Sequence, residues 1–398
     1  MTKQTGALVT YGWNRVAYNV VRSLAKNNVK VAVGDVSKLA MSRFSRYSES
    51  SFKYPSFYQD PAGFIESLIK QQDKHRKSVY LPVHEETFIA SRYRSMLEKS
   101  GITVPVSSIE ILKKLHKKDR LHDTCQNLGL PTPAIVKIES LNNIKSLLAD
   151  MDYPLVVKDS QTNSAKGVHY IQSEKNAFQE LTEIYNASKF SPFLQQYVEG
   201  EGYGVSLLMN HGEPRAVFTH KRLREKTHTG GTSTLRVSTK VPLLEEYAIE
   251  LLSGLNYHGV AMVEFKYNEK TGQAYIIDVN PRFWGSLSLA IQSGVDFPYL
   301  LYKMAVDGDV PAVVSYKEGV KVKWLLGDVL TLFSEIKHTG KFIAPLRSYV
   351  SSNSDGFDDL YYDDPLPFIF QSAYYLKKFL TTMSVNPTQD ALLDIDTV

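Results

Sequence analysis

Cysteine is almost absent from this 398-residue chain, which carries only Cys125. A lone thiol excludes an intramolecular disulfide and any cysteine-based zinc cluster, and it suits a reducing compartment, so the expected location is the cytoplasm. Long apolar runs are missing too. No stretch approaches the roughly 18 residues that span a bilayer, and Met1 to Thr5 does not begin a secretory leader, so neither export nor a transmembrane segment is expected. Charge of one sign is scarce. The 46 basic and 42 acidic residues leave a net +4, so contact with nucleic acid would need a local basic stripe. Gly and Pro number only 23 and 17 against 43% hydrophobic residues, which excludes a disordered or fibrous chain. At roughly 150 residues per domain the length implies more than one globular unit.

What is present begins with an alternation. Ala7 to Thr10, Val29 to Val33 and Val79 to Val83 read as strands, with helical patterns over Asn14 to Lys26 and Ala62 to Gln72 between them. Strands separated by helices imply right-handed crossovers and a parallel, Rossmann-like α/β sheet. The turn after the first strand, Tyr11-Gly12-Trp13-Asn14, has one glycine, so the dinucleotide fingerprint is missing. Helical patterns over Ile109 to Leu128 stop at Gly129 ahead of Pro131 and Pro133. A boundary is expected near residue 116, followed by an α+β region to about residue 310. In the tail, Ile369, Ala373, Leu376 and Leu380 share one helical face, which predicts a helix docked on the body, with a membrane-surface or partner helix as the alternative.

The most informative segment is Val260 to Tyr267 followed by Gln273 to Arg282, two β-rich runs around a loop ending in Gly272. If Lys270-Thr271-Gly272 form a three-residue loop, Glu264 stands opposite Asp278 and Asn280 lies one pleat along on the same face. Opposed carboxylates repel, so a positive group belongs between them. A hard divalent cation takes such oxygens together with substrate phosphates, making Glu264, Asp278 and Asn280 a candidate magnesium edge.

The run Ile277-Asp278-Val279-Asn280-Pro281-Arg282 after Val263-Glu264-Phe265 strongly resembles the metal-binding core of ATP-grasp enzymes, with Asp278 where glutamate is usual. The resemblance implies an ATP-grasp fold with a Rossmann-like pre-ATP-grasp domain over 1–116, a small lid subdomain over 117–195, a large subdomain over 196–310 and a C-terminal extension over 311–398. It implies ATP and Mg²⁺ as cofactors, with Mn²⁺ an allowed substitute; Glu264, Asp278 and Asn280 hold the metals and Arg282 contacts phosphate or the developing acyl phosphate. A lysine ending a buried strand, as Lys158 does after Pro154 to Val157, asks for an anion. By resemblance Lys118 and Lys158 hold the α and β phosphates. Ser164, Lys166 and Gly167 fall in the lid loop, which is poorer in glycine here than in the family. Gln195, Gln196, Tyr197 and Val198 match the strand that reads the adenine edge, and Ile277 floors the base. The usual ribose-binding acid falls at Gly202, leaving Glu201 or Glu199 to substitute.

A basic stretch, His220 to Arg236, lacks the interleaved aromatics of a base-stacking surface, which argues against nucleic acid. With Gly230-Gly231 as a hinge it reads as a mobile loop carrying Lys221, Arg222 and Arg236 to an anionic substrate. His84-Glu85-Glu86, at the end of the third strand, sits where parallel sheets bind ligands and is a candidate wall of the acceptor pocket, although a helix N-terminus that favours acids explains Glu85 and Glu86 equally well. The resemblance implies a ligase that activates a carboxylate as an acyl phosphate and joins it to an amine. A bicarbonate-activating, carbamoyl phosphate synthetase-like enzyme and an inactive nucleotide-binding regulator are the alternatives. The expected partners are small-molecule carboxylates and amines, and a homodimer is one assembly that the resemblance allows.

Overall fold

The computed structural model describes residues 6–75, 77–149, 151–161, 167–227, 230–340, 342–343, 346–347, 349, 352–382 and 393–397. The first sheet contains β1 (Gly6–Val9), β2 (Val31–Asp35), β3 (Ser50–Lys53) and β4 (Lys77–Leu81), all parallel in the order β3-β2-β1-β4. Continuous burial along β1 and β2 explains their unbroken apolar runs, since a parallel sheet is covered on both faces. β3, Ser-Ser-Phe-Lys, offers only Phe52 to the core and escapes a search for apolar runs. Strand order reverses at β1, and the crevice between the carboxyl ends of β1 and β4 opens toward the rest of the molecule.

Two further sheets follow. The smaller contains β5 (Ile135–Lys137), β6 (Leu155–Asp159), β7 (Val168–Ile171) and β8 (Pro192–Gln196), antiparallel in the order β5-β8-β6-β7, with its own apolar core around Ile144, Val157 and Leu194. The larger contains β9 (Glu201–Asn210), β10 (Glu213–Thr227), β11 (Gly230–Thr239), β12 (Gly259–Tyr267), β13 (Ala274–Asn280), β14 (Lys321–Lys323) and β15 (Gly356–Phe357), in the order β13-β12-β9-β10-β11-β14-β15. Its core is continuous with that of the first sheet. The segment beyond residue 310 is woven into this sheet through β14 and β15, which pair in parallel.

Three local expectations change. Residues 220–227 and 230–236 belong to the paired strands β10 and β11, not to a loop, because the β-branched Thr232, Thr234 and Val237 suit a ladder in which Arg222 stands opposite Arg236. The β12–β13 connection is longer than three residues: Asn268 N–H donates to the Gln273 carbonyl, and Gly272 N–H donates to that of Asn268. The tail helix, Leu366–Thr382, turns the predicted stripe outward, with Ile369 56%, Leu376 59% and Leu380 67% exposed. Rings dock it instead. Phe370 stacks on Phe44 and Tyr374 packs on Trp13, so large aromatic area outcompetes the aliphatic face.

Candidate active site

A cavity of about 1000 Å³ lies where the three sheets meet, and the acidic hairpin forms one of its walls. Glu264 pairs directly with Asp278, and Met262 with Asn280. Toward the loop the pairing slips: Phe265 faces Ile276, and Ile277 is left without an opposite number. This β-bulge compensates for the longer loop. It also reverses the alternation of β13, so that Ile276 and Val279 enter the core while Ile277, Asp278 and Asn280 are half-buried against the cleft. The two carboxylates are therefore presented to one space by a local irregularity.

Both acids are answered by cations. Arg222 Nη2 lies 2.6 Å from Glu264 Oε2, and Lys118 Nζ lies 3.6 Å from Asp278 Oδ2. Asn280 Nδ2 donates to Glu264 Oε1 at 2.8 Å. Arg222 also binds Glu225 at 3.2 Å; burial opposes its charge, but Glu264 and Glu225 outweigh that and hold its pKa above the usual range. Lys118 opens the helix Lys118–Asn127 just after the extended Lys117 interrupts the helical path, and its side chain is only 7% exposed. Lys158, at the inner end of β6, is buried. Burial, with Lys118 adding repulsion, lowers its pKa to about 8 although Asp278 and Glu264 pull the other way. Two carboxylates with an adjacent amide, backed by four cationic side chains including Lys266, suit a hard cation carrying a polyphosphate.

The remaining predicted residues divide. Gln195, Gln196, Tyr197, Val198, Ile277 and Arg282 line the cleft. Gln196 N–H donates to the Ala134 carbonyl at 2.9 Å, tying this edge of the small sheet to the chain leading into β5. Gly167, at φ 71°, closes the β6–β7 connection, and its carbonyl accepts from Asp159 N–H. Ser164 and Lys166 lie outside the described residues. Lys221 does not reach the cleft: alternation on β10 sends it to the opposite face, where it pairs with Glu201 and with Glu269 at 2.9 Å, which takes Glu201 away as well. Glu199 is not among the residues that line the cleft. Arg236 is fully buried beneath the site, bound to Asp358, which also takes Arg15 Nε at 3.3 Å. It supports the sheet rather than facing ligand.

The sequence reading passed over several groups that the fold brings in. Glu225 occupies the space beside Gly202, where a Cβ would stand 3.4 Å from its Oε1. His220 and His116 line the cleft from β10 and from the helix Ile109–His116. A Cβ at Gly204 would lie 2.4 Å from His220 Cε1, so the missing side chain on β9 makes room for that ring. Alternation of His220 with Arg222 on one strand was the available signal, obscured by the register shift after Arg222.

Residues 190–327 match the family described as ATP-grasp in the biosynthetic pathway with Ter operon. The chain carries an ATP-grasp domain. It is 22% identical over 285 residues to the carbamoyl phosphate synthase large chain, C-terminal section, of Methanopyrus kandleri, covering 64% of this chain and 52% of that relative. The chain spans about half the length, or less, of the curated relatives it matches. Among solved ATP-grasp structures, the ADP complex of N5-carboxyaminoimidazole ribonucleotide synthetase aligns with a TM-score of 0.65 at 18% identity, covering 85% of this chain and 87% of that one. The biotin carboxylase domain of Hydrogenobacter thermophilus 2-oxoglutarate carboxylase, solved with MgADP, ADP and bicarbonate, aligns with a TM-score of 0.65 at 14% identity, covering 80% and 74%. These likenesses establish the mixed α/β ATP-grasp fold. No helix among the described residues is long and apolar enough to cross a membrane.

Proposed function

We propose that the protein is an ATP-dependent ligase, activating a carboxylate with MgATP and joining the acyl group to an amine with release of ADP and phosphate. The observation that carries this reading is the opposition of Glu264 and Asp278 across β12 and β13, within one cleft that Lys118, Lys158, Arg222 and Arg282 also line. A magnesium ion would be held by Glu264, Asp278 and the Asn280 amide oxygen, and it would supply charge neutralisation for the phosphates. The donor set fits, because two carboxylates and a neutral oxygen leave positions for phosphate oxygens and water. Lys118 and Lys158 would bind the phosphate chain, and Arg222 is placed to exchange Glu264 for a phosphate once a metal takes the carboxylate.

In the first step a substrate carboxylate oxygen attacks the γ-phosphorus, the bond to the β–γ bridging oxygen breaks, and ADP leaves with that electron pair. In the second, the amine nitrogen attacks the acyl carbon, phosphate departs, and the nitrogen gives up a proton. Phosphoryl transfer demands positioning and electrostatic support more than covalent assistance, which accords with a cleft rich in cations. Arg282 is oriented by donating from Nη1 to the Phe283 carbonyl at 2.9 Å and stands ready for the acyl phosphate.

A phosphate-release screen of the full chain with MgATP against paired carboxylates and amines tests this directly. One pair should release ADP and phosphate in equal amounts, and Glu264→Gln should reduce turnover at least 100-fold while weakening Mg²⁺ dependence. Equal turnover in wild type and Glu264→Gln would overturn the assignment.

A further inference from the structure

The cleft has a second end, built from different chemistry. The carboxyl edge of the first sheet contributes Asn14 and His84, one on each side of the β1–β4 crevice. Asn14 caps the helix Arg15–Lys26, its Oδ1 accepting from Val16 N–H at 2.8 Å, and its NH₂ group takes no part in that cap. The amino end of this helix carries partial positive charge and favours anions. His116, His220 and Arg282 line the same cavity, Arg282 and His116 close to His84. His116 is 4% exposed and His220 1%.

Buried nitrogens gather here: His84 Nδ1, His116 Nε2 and Arg282 Nε lack partners among the described residues, and the His220 ring meets the Gly204 backbone and Ser286. A buried donor or acceptor left unpaired is costly, so these nitrogens gathered in one cavity signal a ligand that satisfies them. Guanidinium can only donate, and a neutral imidazole offers one N–H. Burial, reinforced by nearby cations such as Arg282 beside His84, holds all three rings neutral. His220 is further oriented by Ser286, whose Oγ lies 3.2 Å from Nε2.

Among the described residues no carboxylate lines this end: Glu86, which accepts from His84 N–H at 3.1 Å, and Asp35, which accepts from Trp13 N–H at 2.9 Å, lie behind the wall with their oxygens turned to the backbone. Of the acids that line the cavity, Glu225 and Glu264 are held by Arg222, Asp278 faces Lys118, and Glu180 and Glu183 sit on the helix Ala177–Ala187 beside the small sheet. Arg15, at the helix start, already has Asp358. An ammonium group placed here would meet a cation, donors and a positive helix end.

We propose that this end is a subsite for a substrate's anionic group, carboxylate or phosphate, in a molecule with no ammonium beside that group. Arg282 balances the charge, and His84, His116 and His220 give neutral donors. This names the substrate class within the ligase reading and rests on that reading for its place in catalysis. The anion recognition stands on the groups themselves.

Matched probes decide it. Calorimetry of the full chain, with and without MgADP, would compare succinate with L-aspartate and glycerol 3-phosphate with phosphoethanolamine, one pair for each anion. The ammonium-free member of at least one pair should bind, with its ammonium-bearing partner at least tenfold weaker. Asn14→Asp keeps a good helix cap but adds a carboxylate, and it should weaken the anion at least tenfold and narrow the gap within the pair. Thr232→Asp, on the facing strand β11, serves if that variant fails to fold. Equal or tighter binding of the ammonium-bearing members, no response to any ammonium-free probe, or no effect of the introduced carboxylate would overturn the subsite. Selective anion binding without MgADP binding would defeat the nucleotide reading and leave the subsite standing.

Discussion

Lys158 shows how a single side chain reports on the cleft. Its pKa, lowered to about 8 by burial and by Lys118, leaves it partly uncharged at pH 8 while no phosphate is near. Phosphates would favour the ammonium form and raise that pKa, so nucleotide binding should take up protons near pH 8 and almost none at pH 6. Binding enthalpies measured in buffers of different ionisation enthalpy give the number of protons, and a zero slope at pH 8 would rule the effect out. At this scale much was legible. A lysine closing an apolar strand and two acids in facing runs announce themselves by being costly to bury. His116 gave no such warning, because a lone histidine ending a helix carries no spacing signature, and only the fold brings it to the space that His220 and Arg222 share. Lys221 and Arg236 misled for the opposite reason: a cluster of cations along a strand does not tell which side chain faces which way.

Elements decide that question. Strand β10 alternates, so its cations answer different acids: Lys221 takes Glu201 and Glu269, while Arg222 takes Glu264 and Glu225. The buried trio Arg15, Asp358 and Arg236 then ties the first helix, β11 and the segment after β15 together. Removing one member of such a group leaves an uncompensated charge, and Arg236→Met should cost about 3–5 kcal/mol. A fall in the urea midpoint is the expected result; a variant as stable as wild type but selectively silent in phosphate release would return Arg236 to the chemistry. The parallel first sheet and the acidic hairpin were readable because their periodicities are strong. The outward turn of the tail helix was not, since an aliphatic stripe looks the same whether it meets a core or water, and Phe44 and Trp13 lie more than 300 residues away from it in sequence.

Over the whole molecule, residues 393–397 bind three regions at once. Leu393 N–H donates to Glu85 Oε2 at 3.3 Å, its carbonyl accepts from the Gln161 side chain, and Asp396 pairs with Lys117 and with Arg120 at 3.2 Å. Ile395 is wholly buried in this seam. Ile395→Asp should free the segment, quicken amide hydrogen exchange in β6 and β7, and weaken MgATP binding by loosening the turn before Lys118. Unchanged exchange in those strands would refute that coupling. The bulge at Ile277 sets a different kind of limit, on how such a chain can change over generations. Because one unpaired residue absorbs the slip between loop and site, insertions or deletions within 268–273 can be accommodated without disturbing the acids, and deleting Ile277 would leave a regular ladder in which Asp278 still faces Glu264 between an inward Ile276 and an inward Val279. The joining loop and the bulged position are free to drift, and the facing of the two acids is not.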